Sequence, residues 1–245
     1  MPQSLAAVAI IPARLGSTRL PRKVLREIAG KPMIAHVYEA AKKSPLLRDV
    51  IIATDSEDVL AAARANGWKA EMTSTQHRSG TDRVYEVAQR IKADVYVNIQ
   101  GDEPLARPEH LEALLGPMSD SKVLVSTIKT PCPPHDIDNP NAVKVVTDKN
   151  GRALYFSRST VPFDRDRSGA IQYFKHLGFY AYRRAALELF CKLPESTLEA
   201  AERLEQLRFL ENGIDIYVAE TPFNTVGVDT EDDLQRVEKM ILNGL

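Results

Sequence analysis

Apolar and polar residues follow two different rhythms along this chain. Residues 5–11 form a continuous apolar run, the pattern of a parallel strand buried on both faces. Residues 32–43 instead place Ile34, Val37, Tyr38 and Ala41 at helical spacing. Run and stripe then recur. A strand at 49–54 precedes an alanine-rich helix to residue 66, with Asp55-Ser56 supplying its N-cap and Gly67 closing it. A strand at 68–72 precedes a helix that starts at Thr81-Asp82 and turns Val84, Val87, Ala88 and Ile91 inward. A strand at 94–99 precedes a helix at 108–118, and a fifth strand occupies 122–129. Four successive strand-then-helix units predict a parallel, three-layer α/β sheet with right-handed crossovers. Ligands of such sheets bind at the carboxyl ends of the strands.

The rhythm changes after Thr130. Runs at 142–147 and 152–156 flank Asp148-Lys149-Asn150-Gly151, and Asn-Gly between two β-rich runs predicts a hairpin. A polar stretch at 164–169 leads to a strand at 176–182, then to helices at 185–193 and 198–212, the second closed by Gly213. A last strand at 214–219 precedes a C-terminal helix beginning at Thr230, with Asp232 and Asp233 placed well for the helix dipole. The chain reads as one α/β domain over 1–245, with a hairpin excursion at 140–182.

At 245 residues it is long enough to bury a substantial core. A net charge of −1 argues against nucleic-acid or membrane binding by bulk electrostatics. No apolar run approaches the roughly 18 residues of a membrane span, and residues 1–4 carry no basic region of a signal peptide. The expected location is the cytoplasm, where Cys132 and Cys191, far apart and in no metal-like spacing, read as structural thiols.

Charge is concentrated locally instead. Residues 14–23, just past the first strand, hold Arg14, Ser17, Thr18, Arg19, Arg22 and Lys23 around Gly16. A Gly/Ser/Thr loop with several cations fits a polyphosphate, and it also fits a basic surface loop. It is not a P-loop, because Gly30-Lys31 is followed by Pro32, and the chain has no Gly-x-Gly-x-x-Gly fingerprint. Gln100-Gly101-Asp102-Glu103-Pro104 sets two carboxylates past another strand, where Asp102 could bind Mg²⁺ beside phosphate oxygens or cap the turn. Asp229 stands at a third strand end, as a helix cap or a second ligand. His77, Arg78, Ser79, Gly80, Thr81 and Arg83 form a donor-rich helix start that could read a base edge, hold a phosphate, or serve only as a cap. His176 and Tyr180 share a strand face, for packing or for a ligand. Glu205 and Gln206 interrupt the stripe of Leu204, Leu207 and Leu210. The chemistry suggested is phosphate with a metal, not covalent catalysis.

Taken together, the segments resemble the 3-deoxy-manno-octulosonate (Kdo) cytidylyltransferases. The resemblance rests on Ile11-Pro12-Ala13-Arg14, Ser17-Thr18-Arg19-Leu20-Pro21 with Lys23, Ala29-Gly30-Lys31-Pro32-Met33-Ile34, Ala53-Thr54-Asp55, His77-x-Ser-Gly-Thr-Asp-Arg83 and Gln100-Gly-Asp-Glu-Pro-Leu105. It continues through Tyr155-Phe-Ser-Arg-Ser159, Lys175-His-Leu-Gly-x-Tyr180, Leu204-Glu-Gln-Leu-Arg208 and Val228-Asp-Thr230. It implies a nucleotide-diphospho-sugar transferase (Rossmann-like) fold, with the hairpin excursion used in homodimer contacts. It also implies the reaction of CTP with Kdo to give CMP-Kdo and pyrophosphate, for lipopolysaccharide synthesis.

By position, the resemblance assigns Arg14 and Lys23 to the CTP phosphates, residues 77–83 to cytosine and ribose, and Asp102 and Asp229 to Mg²⁺. It assigns Gln100, Arg158, His176, Tyr180, Glu205 and Gln206 to the sugar acid, with Arg158 on its carboxylate. Two positions depart from the family: Arg22 replaces a usual glycine, and Leu15 stands where a tyrosine is common. A branch that activates 8-amino-Kdo has Gln-Gly-Asp-Gln-Pro, and Glu103 here favours Kdo itself. Sialic acid as the substrate, or a non-catalytic nucleotide-binding regulator on this fold, are the alternatives.

Overall fold

The computed structural model describes residues 5–17, 19–77 and 79–244. In chain order the elements begin with β1 (Ala7–Ala13), β2 (Glu27–Ile28), β3 (Lys31–Pro32), α1 (Met33–Lys42), β4 (Leu47–Thr54), α2 (Glu57–Ala65), β5 (Ala70–Met72), α3 (Gly80–Arg90), β6 (Val95–Asn98) and α4 (Pro108–Leu115). They continue with β7 (Val125–Pro131), β8 (Lys144–Thr147), β9 (Ala153–Ser157), β10 (Phe174–Tyr182), α5 (Arg184–Lys192), α6 (Thr197–Glu202), α7 (Leu207–Glu211), β11 (Ile216–Glu220) and α8 (Glu231–Leu242). These elements gather into two compact units, one running to Glu112 and resuming at Thr225, the other Ala113–Asn224.

The first unit is built on parallel pairing. β1 lies between β4 and β6, with Ile10 opposite Ile51 on one side and Asn98 on the other, and β5 pairs with β4. Val8, Ala9, Ile10 and Ile11 are wholly buried, which is why this run carries no polar alternation. Each buried valine or isoleucine there contributes roughly 1.5–3 kcal/mol. α1 buries Ile34, Val37, Tyr38 and Ala41 as predicted from spacing, and α3 buries Val84, Val87 and Ala88, whereas Ile91, expected with them, lies just past the helix in extended backbone and is half-buried.

The second unit is mixed. β7 pairs antiparallel with β10 and parallel with β11, while β8 pairs antiparallel with both β9 and β10. The predicted hairpin is β8–β9, but its turn differs from the simple two-residue Asn-Gly type. Asn150 is not left-handed; Gly151 is, at φ 80°, and the Asp148 N–H donates to the Arg152 carbonyl at 2.8 Å. That makes a longer loop closed by a left-handed glycine.

Three further expectations change. The helix read at 198–212 is two, α6 and α7, broken where Arg203 takes a left-handed φ of 53°. The helix read to residue 118 stops at Leu115, and Pro117–Ser119 forms a short 3-10 turn, since a proline cannot continue the α-helical hydrogen bonding. A two-stranded ribbon, β2–β3, stands where no strand was expected. Ala29 and Gly30, both left-handed at φ 49° and 75°, make its two-residue turn. Among the described residues, no helix is long and apolar enough to cross a membrane.

Candidate active site

β1 and β6 are parallel neighbours, so the loops after Ala13 and Asn98 leave the same edge of the first unit's sheet. Gly101 allows their approach: a Cβ there would lie 2.9 Å from the Pro12 carbonyl oxygen and 3.4 Å from Val24 Cγ1. A third loop, ahead of α8, is tied to the second. The Val228 N–H donates to the Asp102 carbonyl at 2.9 Å, and the Thr225 hydroxyl donates to Glu103 Oε2 at 2.8 Å. Each loop also commits one apolar side chain, Leu20, Leu105 or Val228, to a shared buried cluster with Ile28, Met33, Leu234 and Val237. Apolar anchors therefore fix the loops while their polar residues remain available.

The three loops bring Lys23, Asp102 and Asp229 together. Lys23 Nζ donates to Asp102 Oδ2 and, at 2.9 Å, to Asp229 Oδ1, and Arg19 Nη2 sits 3.0 Å from Asp229 Oδ2. Partial burial opposes ionisation of both partners, yet the two carboxylates hold the Lys23 ammonium above its usual pKa, and Lys23 with Arg19 holds Asp229 below its own. The ammonium marks a point where two hard carboxylates converge on one cation. That donor set suits Mg²⁺, which takes one or two carboxylates and completes its shell with phosphate and water oxygens.

Arg14, one residue past β1, is exposed and makes no hydrogen bond or ion pair with a described residue. Ser17 Oγ accepts from the Leu20 N–H at 3.2 Å and so shapes the loop. Arg22, at the family's glycine position, is left-handed at φ 57°, and its guanidinium pairs with Asp58 of α2 at 2.7 Å. Thr18 and Arg78 lie outside the described residues.

The donor-rich segment ahead of α3 divides in two. Ser79 and Asp82 form a reciprocal capping box. Gly80 faces Gln100, since a Cβ there would sit 3.4 Å from Gln100 Oε1, and Gln100 Nε2 donates to Asn98 Oδ1 at 3.2 Å. Thr81 is buried at the helix start. Arg83 was expected to face a ligand, but it is only 3% exposed, donating to Asp55 Oδ2 at 2.7 Å and to the Thr73 hydroxyl. It braces the loop from behind. His77 Nε2 contacts Glu86, a residue the sequence reading passed over. The available signal was the helical spacing of Arg83, Glu86 and Arg90.

The remaining predicted residues belong to the second unit. His176 Nε2 lies 2.9 Å from the Tyr180 hydroxyl and 3.1 Å from the Thr127 hydroxyl, and the Tyr180 ring stacks on Tyr182. A bulge between Leu177 and Tyr180 sets this arrangement, because it shifts the register against β7. Burial lowers the His176 pKa to about 3 and raises that of Tyr180, so both are neutral. Arg158 donates to the carbonyls of Glu202 (2.7 Å), Pro140 (2.9 Å) and Arg203 (3.4 Å), so much of its five-donor fork secures backbone around the break between α6 and α7. Past that break, Glu205 is exposed, whereas Gln206 is buried and its Nε2 has no hydrogen-bond partner among the described residues.

A parallel sheet that sets cations and paired acids at its carboxyl edge defines a nucleotide-handling α/β protein. A family profile described as Cytidylyltransferase matches residues 8–216. The 3-deoxy-manno-octulosonate cytidylyltransferase of Koribacter versatilis is 67% identical over 238 residues, covering 97% of this chain and 91% of that protein. Its namesake in Acidobacterium capsulatum is 62% identical, covering 98% of each chain. A solved structure of CMP:2-keto-3-deoxy-manno-octonic acid synthetase complexed with CTP superposes at a TM-score of 0.94 and 45% identity, covering 98% of this chain and 100% of the other. The chain belongs to the 3-deoxy-manno-octulosonate cytidylyltransferase family. Its α/β fold with a mostly parallel central sheet is of the Rossmann-like nucleotidyltransferase class.

Proposed function

We propose that this chain transfers the cytidylyl group of CTP to Kdo, releasing pyrophosphate, for lipopolysaccharide synthesis in the cytoplasm. The observation that carries the reading is the convergence of Lys23, Asp102 and Asp229 at strand ends, in a chain 67% identical to a Kdo cytidylyltransferase. The anomeric hydroxyl of Kdo attacks the α-phosphorus; the new P–O bond forms as the bond to the β-phosphate oxygen breaks. Arg14, Lys23 and Arg19 supply positive charge for the departing β- and γ-phosphates. Ser17 and residues 77–81 are assigned to the rest of the nucleotide, with Arg83 bracing their loop.

Mg²⁺ is the proposed cofactor: Asp102 and Asp229 would hold it, and it would supply Lewis acidity that lowers the pKa of the attacking hydroxyl and neutralises charge on the α-phosphate. Gln100, Arg158, His176, Tyr180, Glu205 and Gln206 are assigned to the sugar acid. The buried, unpartnered Gln206 amide supports that assignment, because a donor left unsatisfied costs about 1–3 kcal/mol unless a ligand completes it. Arg158, tied to backbone, retains only part of its fork for a carboxylate. The hairpin β8–β9 is assigned to homodimer contacts.

Pyrophosphate release, with CTP against UTP or ATP and with Kdo against 8-amino-Kdo or N-acetylneuraminate, tests the substrates. Chelation with EDTA and re-addition of Mg²⁺ tests the metal. Absence of release from CTP and Kdo with Mg²⁺ present sinks the reading.

A further inference from the structure

Helix α3 does more than follow the loop at 73–79. Its Glu86 carboxylate gathers that loop: Oε2 accepts from the Ser74 N–H at 2.9 Å and contacts His77 Nε2, while Oε1 is paired with Arg90 one turn on. Arg90 is held in turn by the Met72 carbonyl at 2.9 Å and Glu71 at 3.3 Å, and Arg83 grips Thr73 beside it, at the start of the segment. Glu86 and His77 are both largely shielded, with side-chain exposures of 18% and 19%. Partial burial pushes the Glu86 carboxyl up, but the Ser74 N–H, His77 and Arg90 together hold it below its ordinary value.

An ionised carboxylate can only accept hydrogen bonds, so His77 Nε2 must carry the proton of that contact. In the neutral ring, Nδ1 is then a bare acceptor, and it makes no hydrogen bond with a described residue. Cytosine and uracil differ at position 4, where cytosine presents an amine that donates and uracil a carbonyl that accepts.

We propose that Glu86 is a specificity-positioning residue: by fixing the tautomer of His77, it leaves Nδ1 as the acceptor for the 4-amino group of CTP and thereby disfavours UTP. This rests on the proposed assignment of residues 77–81 to the nucleotide. It goes beyond that assignment by naming the atom, the tautomer and the residue that sets it. A site built to accept a proton discriminates against an analogue that has none to give.

The test compares the wild type with Glu86→Gln, which keeps the size and an acceptor for Ser74 but can also donate to His77 and so releases the tautomer. His77→Phe, which removes both ring nitrogens, is the second variant. The ratio of kcat/KM for CTP to that for UTP should fall about tenfold in both, the scale of one hydrogen bond, with the loss chiefly in KM for CTP. ¹⁵N NMR of the histidines should show the Nε2–H form of His77 in the wild type and a mixture in Glu86→Gln. Unchanged CTP/UTP ratios in both variants, or an Nδ1–H ring in the wild type, overturn the proposal. A wild type that releases no pyrophosphate from CTP and Kdo refutes the underlying function instead, so the two failures are distinguishable.

Discussion

The two units solve opposite electrostatic problems. In the first, Lys23, Asp102 and Asp229 form an ion-paired group on loops, with side-chain exposures of 13%, 30% and 48%. In the second, His176, Tyr180 and Thr127 form a neutral hydrogen-bonded group within paired strands. Pairing holds Lys23 and Asp229 in their charged forms against partial burial, while burial drives His176 and Tyr180 away from charge. Charge at a wet loop edge can be exchanged for the charge of an incoming ion or phosphate at small cost. A neutral network in a strand pair cannot be exchanged; it presents a fixed shape. The contrast suits the proposed division between handling phosphate and recognising a sugar.

The sharpest way to break that contrast is to neutralise the charged side. Asp102→Asn preserves volume and the backbone bond from Val228, yet turnover measured by pyrophosphate release should fall about a hundredfold or more. Wild-type turnover in that variant would remove the reason for pairing the acids.

Next in size is the close approach that brings the loops together. Gly101→Ala sets a methyl against the Pro12 carbonyl, and thermal denaturation should show a loss of about 1–3 kcal/mol. An unchanged melting temperature would mean that the loop edge is not tightly packed.

The neutral side is tested by acid. His176 has a pKa of about 3 in the fold against an ordinary 6.5, so the unfolded chain takes up this proton first as the pH falls. The stability it contributes is complete above about pH 6.5 and drains away between 6.5 and 3. His176→Asn should flatten the stability-against-pH curve in that window alone. An identical acid limb in variant and wild type would show that the ring is already solvated.

The smallest effect concerns Arg22. A non-glycine residue in the left-handed region costs roughly 1–2 kcal/mol, and its exposed pair with Asp58 returns about 0–1 kcal/mol. Arg22→Gly should raise stability in chemical denaturation by about 1 kcal/mol or less, while freeing the loop from α2.

Much of this was legible in the chain, and where it was not, the reason is physical. The buried run of β1, the stripes of α1 and α3, Gly67 at the end of α2 and the acids at strand ends all follow from local periodicity and local chemistry. The break at Arg203 does not, because nothing in its neighbours marks a left-handed arginine; carbonyl contacts from Arg158, far away in sequence, surround it. The bulge in β10 depends on its pairing with β7, a partner that periodicity does not name. Arg83 carries the charge of a ligand contact and the burial of a brace, and only the fold separates the two.

The bond from the Val228 amide to the Asp102 carbonyl has a consequence for how such a site can change over generations. It joins the two loops through atoms that every residue other than proline possesses, so substitutions of the surrounding side chains leave it in place. The spacing of the acids is thereby insulated from drift in the neighbouring side chains. Specificity at the far end of a substrate can diversify while the separation of Asp102 and Asp229 is inherited with the main chain.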